Sequence, residues 1–207
     1  MKFILINFIQ WVFILAAITA CSDQKSTNEL RQFDNVQIFQ PSRKISEFEL
    51  STSNRDGLNL SGLKNHWSIV FLGYTYCPDI CPTTLTDLAH IYPQLTKQVN
   101  NAQVVFISAD PKRDTKQQLS QYIRFFNADF IAATGPHQHL LPFTRELGLI
   151  YSLTGEGEDY LVNHSAALVV VNPKGELVAR IKPDFSTTPA KVNYQTLIDV
   201  IAYLSER

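Results

Sequence analysis

Two continuous apolar segments constrain the fold of this chain more than any other feature of its sequence. Between their terminal residues, Ser68–Gly73 and Gln103–Ser108 contain only aliphatic and aromatic side chains. Such segments are typical of strands that lie buried on both faces of a sheet. The stretch between them carries apolar residues three and four positions apart, which predicts an amphipathic helix. The centre of the predicted fold is therefore a strand–helix–strand unit.

The rest of the chain continues this alternation of strands and helices. A second amphipathic helix follows the loop Asp110–Thr115, a short strand comes next, and a third helix begins near His137 and stops at Gly148. We predict a loop over Tyr151–Asp159, then two strands joined by the turn Asn172–Gly175, and finally an amphipathic helix.

A hairpin is predicted upstream of the central unit. Ile45–Leu50 alternates between apolar and polar residues, and the turn signal Asn54–Gly57 separates it from Leu58–Leu63. The complete order of elements predicts an α/β protein with a thioredoxin-like fold. Its central mixed sheet is flanked by helices and extended by this N-terminal β-hairpin.

The N-terminal region has the features of an export signal. Lys2 precedes the almost wholly apolar Phe3–Ala20, and small residues stand before Cys21. We predict a lipoprotein-type signal peptide over residues 1–20, with Cys21 as the lipidated first residue of the mature chain. The alternative is an uncleaved membrane anchor, because the apolar run is about long enough to span a bilayer. Either arrangement attaches the domain to a membrane on the extracytoplasmic, periplasmic side, where thiols can oxidise.

The composition fits one domain behind this signal. Of the 207 residues, 45% are hydrophobic and 18% are charged, and the formal net charge is −1. Because phosphate binding requires clustered Lys and Arg, these values exclude nucleic acid as a partner. Residues 21–44 are mostly polar and predict a flexible tether, so the folded domain is predicted over residues 45–207.

Cys77 and Cys81 follow the first buried strand, with three residues between them. On a helix this spacing places both sulfurs on one face, with Cα atoms about 6 Å apart. A dithiol, a disulfide and a metal bound by two thiolates are all compatible with that geometry. The pair alone therefore does not separate redox chemistry from metal binding, although thioredoxin-type oxidoreductases normally have two intervening residues.

Three motifs together resemble the Sco/SenC family. They are Tyr76–Pro82 around the cysteines, Ser108–Thr115 after the second buried strand, and Tyr160–His164 before the C-terminal hairpin. The resemblance extends over about residues 45–207, with the motifs in the same order and at the same spacing. Members of this family are membrane-tethered copper proteins with a thioredoxin fold, and they help to assemble the dinuclear copper centre of cytochrome c oxidase.

The resemblance implies a copper site made of Cys77, Cys81 and His164. Two thiolates suit Cu(I), and an imidazole nitrogen extends the site toward Cu(II). The resemblance also implies that the two cysteines can form a disulfide, and that the partner is the oxidase copper-centre subunit or another periplasmic copper protein. Asp79 and Asp110 match family positions and could orient the ligands or contact a partner, although helix capping and loop hydrogen bonds would account for them equally well.

Other functions and sites stay open at this point. A thiol–disulfide oxidoreductase would reduce client-protein cysteines, with Cys77 attacking a disulfide and Cys81 resolving the intermediate. A peroxiredoxin-like peroxidase ranks below both, because no Arg or Lys stands near Cys77 in the sequence. His137 and His139 form a second candidate metal pair, but we expect these histidines to be exposed and not to be ligands.

Overall fold

The computed structural model describes residues 33, 35–53, 56–155, 157, 159–187 and 190–207. Its strands are β1 (Val36–Lys44), β2 (Glu49–Thr52), β3 (Leu58–Asn59), β4 (Trp67–Gly73), β5 (Ala102–Ser108), β6 (Ile131–Thr134), β7 (Tyr151–Thr154), β8 (Leu161–His164), β9 (Leu168–Val171) and β10 (Glu176–Ile181). Its helices are α1 (Leu60–Leu63), α2 (Ile80–Gln98), α3 (Lys116–Phe126), α4 (His137–Glu146) and α5 (Tyr194–Ser205).

The large sheet is mixed, as predicted. Its strand order is β1-β10-β9-β4-β5-β6-β2-β3. β4 runs parallel to β5 and β5 parallel to β6, whereas β9 lies antiparallel against the other side of β4. The predicted strand–helix–strand unit is thus the centre of the sheet. Both cysteines lie just beyond the carboxyl end of its first strand, β4.

The core explains the apolar pattern of the central segments. Every residue of β4 and β5 is buried, and Leu85, Leu88 and Leu95 of α2 are fully buried against the sheet side of the helix. Pro93 lies inside α2, where a proline is expected to kink a helix or end its regular part. The helix continues beyond Pro93 to Gln98, because burial of the following turn outweighs the one backbone hydrogen bond that proline removes.

The predicted flexible tether was wrong over its last nine residues. Residues 36–44 form β1, which lies antiparallel to β10 at one edge of the sheet. The polar side chains of this segment concealed the strand, because an edge strand is held largely by backbone hydrogen bonds and buries few side chains. Phe39 is the buried residue of β1. The folded domain therefore begins at β1 and not at residue 45.

The predicted signal peptide over residues 1–20, the lipidation site Cys21 and the first part of the tether lie outside the described residues. None of the helices that the structure describes is long and apolar enough to cross a membrane. Membrane attachment therefore stays a prediction from the sequence.

The N-terminal hairpin is present but shorter than predicted. β2 pairs antiparallel with β3, and its other side pairs with β6, which joins the hairpin to the large sheet. Leu50 and Leu58 face each other in this pair and are buried. The side chain of Asn59 accepts a hydrogen bond from the Gly62 N–H and caps α1, so the residues after position 59 turn into a helix.

β7 and β8 form a separate two-stranded sheet, which we call the ribbon. The sequence predicted a loop over Tyr151–Asp159, but Tyr151–Thr154 pairs antiparallel with Leu161–His164. β7 escaped prediction because its side chains are mostly exposed and leave no alternating pattern. His164 ends β8 and faces Tyr151 across the ribbon.

Candidate metal centre

The loop between β4 and α2 carries both cysteines. Because α2 begins at Ile80, Cys81 occupies the first turn of the helix. Cys81 is fully buried and Cys77 is 9% exposed, and both are free thiols. Of the two, Cys77 is therefore the residue that solvent or a partner can reach.

Gly73, the last residue of β4, makes room for the sulfur of Cys81. A Cβ atom at position 73 would lie 2.5 Å from Cys81 Sγ and 2.7 Å from Phe106 Cε2. Both neighbours are fully buried, so neither can withdraw freely. Sequence reasoning did not single out Gly73. The available signal was a glycine at the end of a buried strand, immediately before the cysteine motif.

His164 reaches the cysteines from the ribbon. Its Nε2 atom lies 3.4 Å from Cys81 Sγ, and its ring packs edge-on against Tyr74 and Phe71 at centroid distances of 5.9 and 6.2 Å. Its Nδ1 atom lies 3.2 Å from the carbonyl oxygen of Ser165. Because a carbonyl only accepts hydrogen bonds, Nδ1 carries the proton of the neutral ring, and Nε2 is left as the nitrogen that can bind a metal.

The two sulfurs of Cys77 and Cys81 and a ring nitrogen of His164 all lie within 4.8 Å of one another. Among the described residues, no other group of three or more His, Cys, Asp or Glu side chains is arranged to hold a metal ion. Two thiolates and an imidazole are the donors that copper prefers. They disfavour Mg²⁺ and Ca²⁺, which take oxygen ligands.

The two thiols differ in their proton affinity. A hydrogen bond from Cys81 is the main cause that lowers the pKa of Cys77 to about 4. Burial opposes this shift, and contact with His164 and hydrogen bonds from backbone N–H groups assist it. Burial raises the pKa of Cys81 well above its ordinary value, and contact with Cys77 raises it further. Near neutral pH the metal-free pair therefore shares one proton, held on Cys81, and one negative charge, held on Cys77.

Asp110 is linked to the strand that carries His164. It is 1% exposed and accepts a hydrogen bond of 2.5 Å from the hydroxyl of Tyr160, the residue before β8. Arg113 Nε lies 2.5 Å from the other carboxylate oxygen, and the guanidinium stacks 3.8 Å above the Tyr160 ring. Burial, followed by the bond to Asp110, raises the pKa of Tyr160 to about 12, so the hydroxyl keeps its proton and donates. The sequence indicated Asp110 but not its partner.

Asp114 is linked to the cysteine loop. It is fully buried and accepts hydrogen bonds from the backbone N–H and the hydroxyl of Thr75, at 2.9 and 2.6 Å, and from the hydroxyl of Ser108. Burial raises the pKa of this carboxyl, while the bonds from Ser108 and Thr75 oppose the shift. Asp114 does not cap the helix that follows, because the side chain of Thr115 accepts the Gln118 N–H and caps α3. Asp114 instead fixes the residue two positions before Cys77.

The other residues that the sequence suggested as site residues, Asp79, His137 and His139, lie outside the group of three ligands. Asp79 precedes α2, is exposed and makes no side-chain capping hydrogen bond. Nδ1 of His137 lies 2.8 Å from the hydroxyl of Tyr151, so this histidine contacts the ribbon, and His139 is exposed. Neither histidine belongs to the group formed by the two cysteines and His164.

Known proteins resemble the chain over most of its length. The SCO1/SenC family matches residues 37–199. A protein of Stutzerimonas stutzeri that is named for copper binding is 39% identical over 168 residues, which cover 80% of this chain and 82% of that protein. An SCO2-like protein of Rickettsia typhi is 32% identical over 155 residues, which cover 73% of this chain and 76% of that protein.

Solved structures agree with these relatives. Copper-bound ScoI of Arabidopsis thaliana has a TM-score of 0.67 and 29% identity, and the match covers 76% of this chain and 95% of that one. BsSco, a member of the Sco family of cytochrome c oxidase assembly proteins, shares the fold with a TM-score of 0.59 at 20% identity, over 80% of this chain and 96% of its own. Taken with the site geometry, the match over residues 37–199 shows that the chain belongs to the SCO1/SenC family.

Proposed function

We propose that this chain binds copper through Cys77, Cys81 and His164 and acts in assembly of the copper centre of cytochrome c oxidase. The observation that carries the proposal is the meeting of two sulfurs and one imidazole nitrogen within 4.8 Å. Similarity to a relative named for copper binding and to a plant ScoI solved with copper supports it. The protein would deliver copper to the oxidase subunit or keep that subunit's cysteines reduced for metallation.

The three proposed ligands differ in how ready they are to bind copper. Cys77 already carries a negative charge near neutral pH, whereas Cys81 holds a proton that must leave when its sulfur binds a metal. His164 offers Nε2 while Nδ1 is held by the Ser165 carbonyl. Copper supplies one-electron chemistry and is the cargo, and the thiolates favour Cu(I) whereas the nitrogen matters most for Cu(II).

A copper titration of three proteins tests the assignment. Wild type should bind one copper and, as Cu(II), show a sulfur-to-copper charge-transfer band. His164→Ala should lose most of the Cu(II) affinity and alter the band, because the nitrogen ligand is gone. His90→Ala, which removes an exposed histidine of α2, is the matched control and should behave as wild type. Undiminished Cu(II) affinity in His164→Ala would refute the assignment of His164 as a ligand.

A second function is favoured by the unequal thiols. Cys77 has a lowered pKa and is the more exposed thiol, as an attacking nucleophile requires, and Cys81 holds a proton beside it. The Cys77 thiolate would attack a client disulfide and expel one client thiolate. Cys81 would then attack the mixed disulfide, which releases the second client thiol and leaves a Cys77–Cys81 disulfide.

The oxidoreductase alternative makes a separate prediction. Cys81→Ala should accumulate a mixed disulfide with an oxidised copper-centre domain, because the resolving thiol is missing. His164→Ala should reduce the same domain at a rate close to wild type. If Cys81→Ala traps no client while wild type binds copper, the copper function stands without the thiol exchange.

We also propose that a lipid on Cys21 holds the domain at the extracytoplasmic face of a membrane, with the residues before β1 as a tether. The pattern of Lys2, an apolar run and small residues before Cys21 supports this. Labelled fatty acid should enter the wild-type protein and not Cys21→Ser. Membrane retention of an unlabelled, full-length chain would instead favour the uncleaved anchor.

A further inference from the structure

The large sheet brings the segment after His164 close to the cysteines, because Leu168 of β9 pairs with Phe71 of β4. Cys77 and Cys81 follow directly from β4, the central strand. His164 itself belongs to the ribbon, in which β8 pairs with β7 and, among the described residues, with no strand of the large sheet. The β9 pairing fixes the chain just after His164, and side-chain contacts just before β8 fix the strand that carries the imidazole itself.

The loop of residues 110–115, which we call the aspartate loop, contacts both halves of the site. On one side, Asp110 accepts the hydroxyl hydrogen bond of Tyr160, four residues before His164. On the other side, Asp114 accepts two hydrogen bonds from Thr75, two residues before Cys77. The two aspartates are themselves joined, because the Asp114 N–H donates to the Asp110 carbonyl at 2.9 Å. One short loop thus connects the cysteine loop with the histidine strand.

The Tyr160 end of this connection is closely packed. Tyr160 is 8% exposed and Asp110 is 1% exposed. Arg113 closes the arrangement, since it pairs with Asp110 and stacks on the Tyr160 ring. Val162, between Tyr160 and His164, is 3% exposed, so β8 has little freedom to shift while Tyr160 is held. The hydroxyl of Tyr160 is therefore the group through which the aspartate loop fixes the position of His164.

We propose that Tyr160 and Asp110 are positioning residues for His164 and that they set how strongly the site favours Cu(II) over Cu(I). This inference rests on the proposed copper function. Cu(I) is satisfied by the two thiolates, whose position depends on β4 and α2, whereas Cu(II) gains more from the nitrogen ligand. Loss of a partner that orients a ligand lowers metal affinity at other sites. Loosening Tyr160 should therefore weaken Cu(II) binding more than Cu(I) binding.

Tyr160→Phe tests the proposal because it removes one hydroxyl and keeps the ring under Arg113. We expect Cu(II) affinity to fall about 10- to 100-fold and Cu(I) affinity to change less than about threefold. Tyr92→Phe is the matched control: it removes a hydroxyl that donates to the Ala102 carbonyl at the opposite end of β5, and both affinities should stay at the wild-type value. Equal losses for both oxidation states in Tyr160→Phe, or no loss in either, would overturn the proposal.

A second pair of variants addresses Asp110 itself. Asp110→Ala removes the acceptor and should reproduce the selective loss of Cu(II) affinity. Asp110→Asn keeps an oxygen that can accept the Tyr160 hydrogen bond and should therefore recover part of the Cu(II) affinity that Asp110→Ala loses. If Asp110→Asn and Asp110→Ala lose Cu(II) affinity equally, the hydrogen bond is not the positioning contact.

A metal-free measurement separates this inference from the copper function. In the NMR spectrum of the apo protein, His164 ring protons should show close contacts to the Tyr74 ring, since the two rings pack edge-on. These contacts should weaken in Tyr160→Phe and persist in Tyr92→Phe. Failure of wild type to bind copper through the three ligands would refute the proposed function, while unchanged ring contacts in Tyr160→Phe would refute the positioning role.

Discussion

The two halves of the site are held in different ways. The cysteine half lies between β4, in which every residue is buried, and the first turn of α2. The histidine half lies on the ribbon, where Leu153 and Leu161 are 49% and 57% exposed. The sulfur ligands are thus part of the folded core, whereas the nitrogen ligand lies on a two-stranded ribbon that joins the core through the short connection to β9 and through side-chain contacts. Elements with few buried contacts open more easily, so we expect the nitrogen ligand to be the adjustable one.

Removal of a sulfur should have the largest effect on copper binding. Cys81→Ser should lower Cu(I) affinity by at least about a hundredfold, because a hydroxyl is a poor ligand for a soft ion. His164→Ala should lower Cu(I) affinity far less, since both thiolates remain. Competition with a coloured Cu(I) chelator measures both values. Equal losses of Cu(I) affinity in the two variants would contradict the distinction between the cysteine half and the histidine half of the site.

Filling the space beside Cys81 should destabilise the protein even without metal. Gly73→Ala places a methyl group against two fully buried neighbours, Cys81 and Phe106, and should lower the free energy of unfolding by about 1–3 kcal/mol. Gly62→Ala is the control: its new methyl would lie 3.3 Å from Leu58 Cδ1 and 3.9 Å from Asn59 Oδ1, both longer than the two shortest contacts at position 73. Position 62 also lies in helix α1, so the change should be below about 1 kcal/mol. Urea unfolding of the apo proteins compares them, and a neutral Gly73→Ala would contradict the tight packing.

The pH dependence of alkylation should show how Cys81 acts on Cys77. With its pKa lowered to about 4, Cys77 is a thiolate near neutral pH, and its alkylation rate should fall only as the pH drops through about 4. Cys81→Ala removes the main cause of that shift, so the pKa of Cys77 should rise. At pH values below the raised pKa, the rate should then decrease about tenfold per pH unit. Mass spectrometry of the modified peptide measures the rate, and an unchanged flat profile in Cys81→Ala would exclude this coupling.

The smallest effect is expected on the outer face of the ribbon. Leu161→Ala should change the free energy of unfolding by less than about 0.5 kcal/mol, because Leu161 is already largely exposed. Leu88→Ala on α2, where the side chain is fully buried, should cost about 2–5 kcal/mol. Urea midpoints compare the two. A large loss in Leu161→Ala would mean that the ribbon depends on this side chain more than its exposure indicates.

The difference in burial between the two halves of the site also decides what could be predicted from the sequence. β4 and β5 are buried on both faces of the sheet and therefore consist of apolar runs that the sequence shows. The cysteine half was for this reason placed correctly on a strand–helix junction. β1 and β7 bury few side chains and left no such pattern, so both were predicted as irregular segments. The bond between Tyr160 and Asp110 joins residues 50 positions apart, and only the folded chain brings them together. His164 was found through its motif, not through any local pattern around it.

Gly73 also limits how this chemistry could be transplanted. A designer who copied Cys77, Cys81 and His164 onto another thioredoxin-like scaffold would reproduce the donor atoms but not the space that the second sulfur occupies. Any larger residue at the end of the receiving strand would push that sulfur out of its place, since the built Cβ atom at position 73 already lies 2.5 Å from it. The smallest set of residues to move with the ligands therefore includes one that has no side chain.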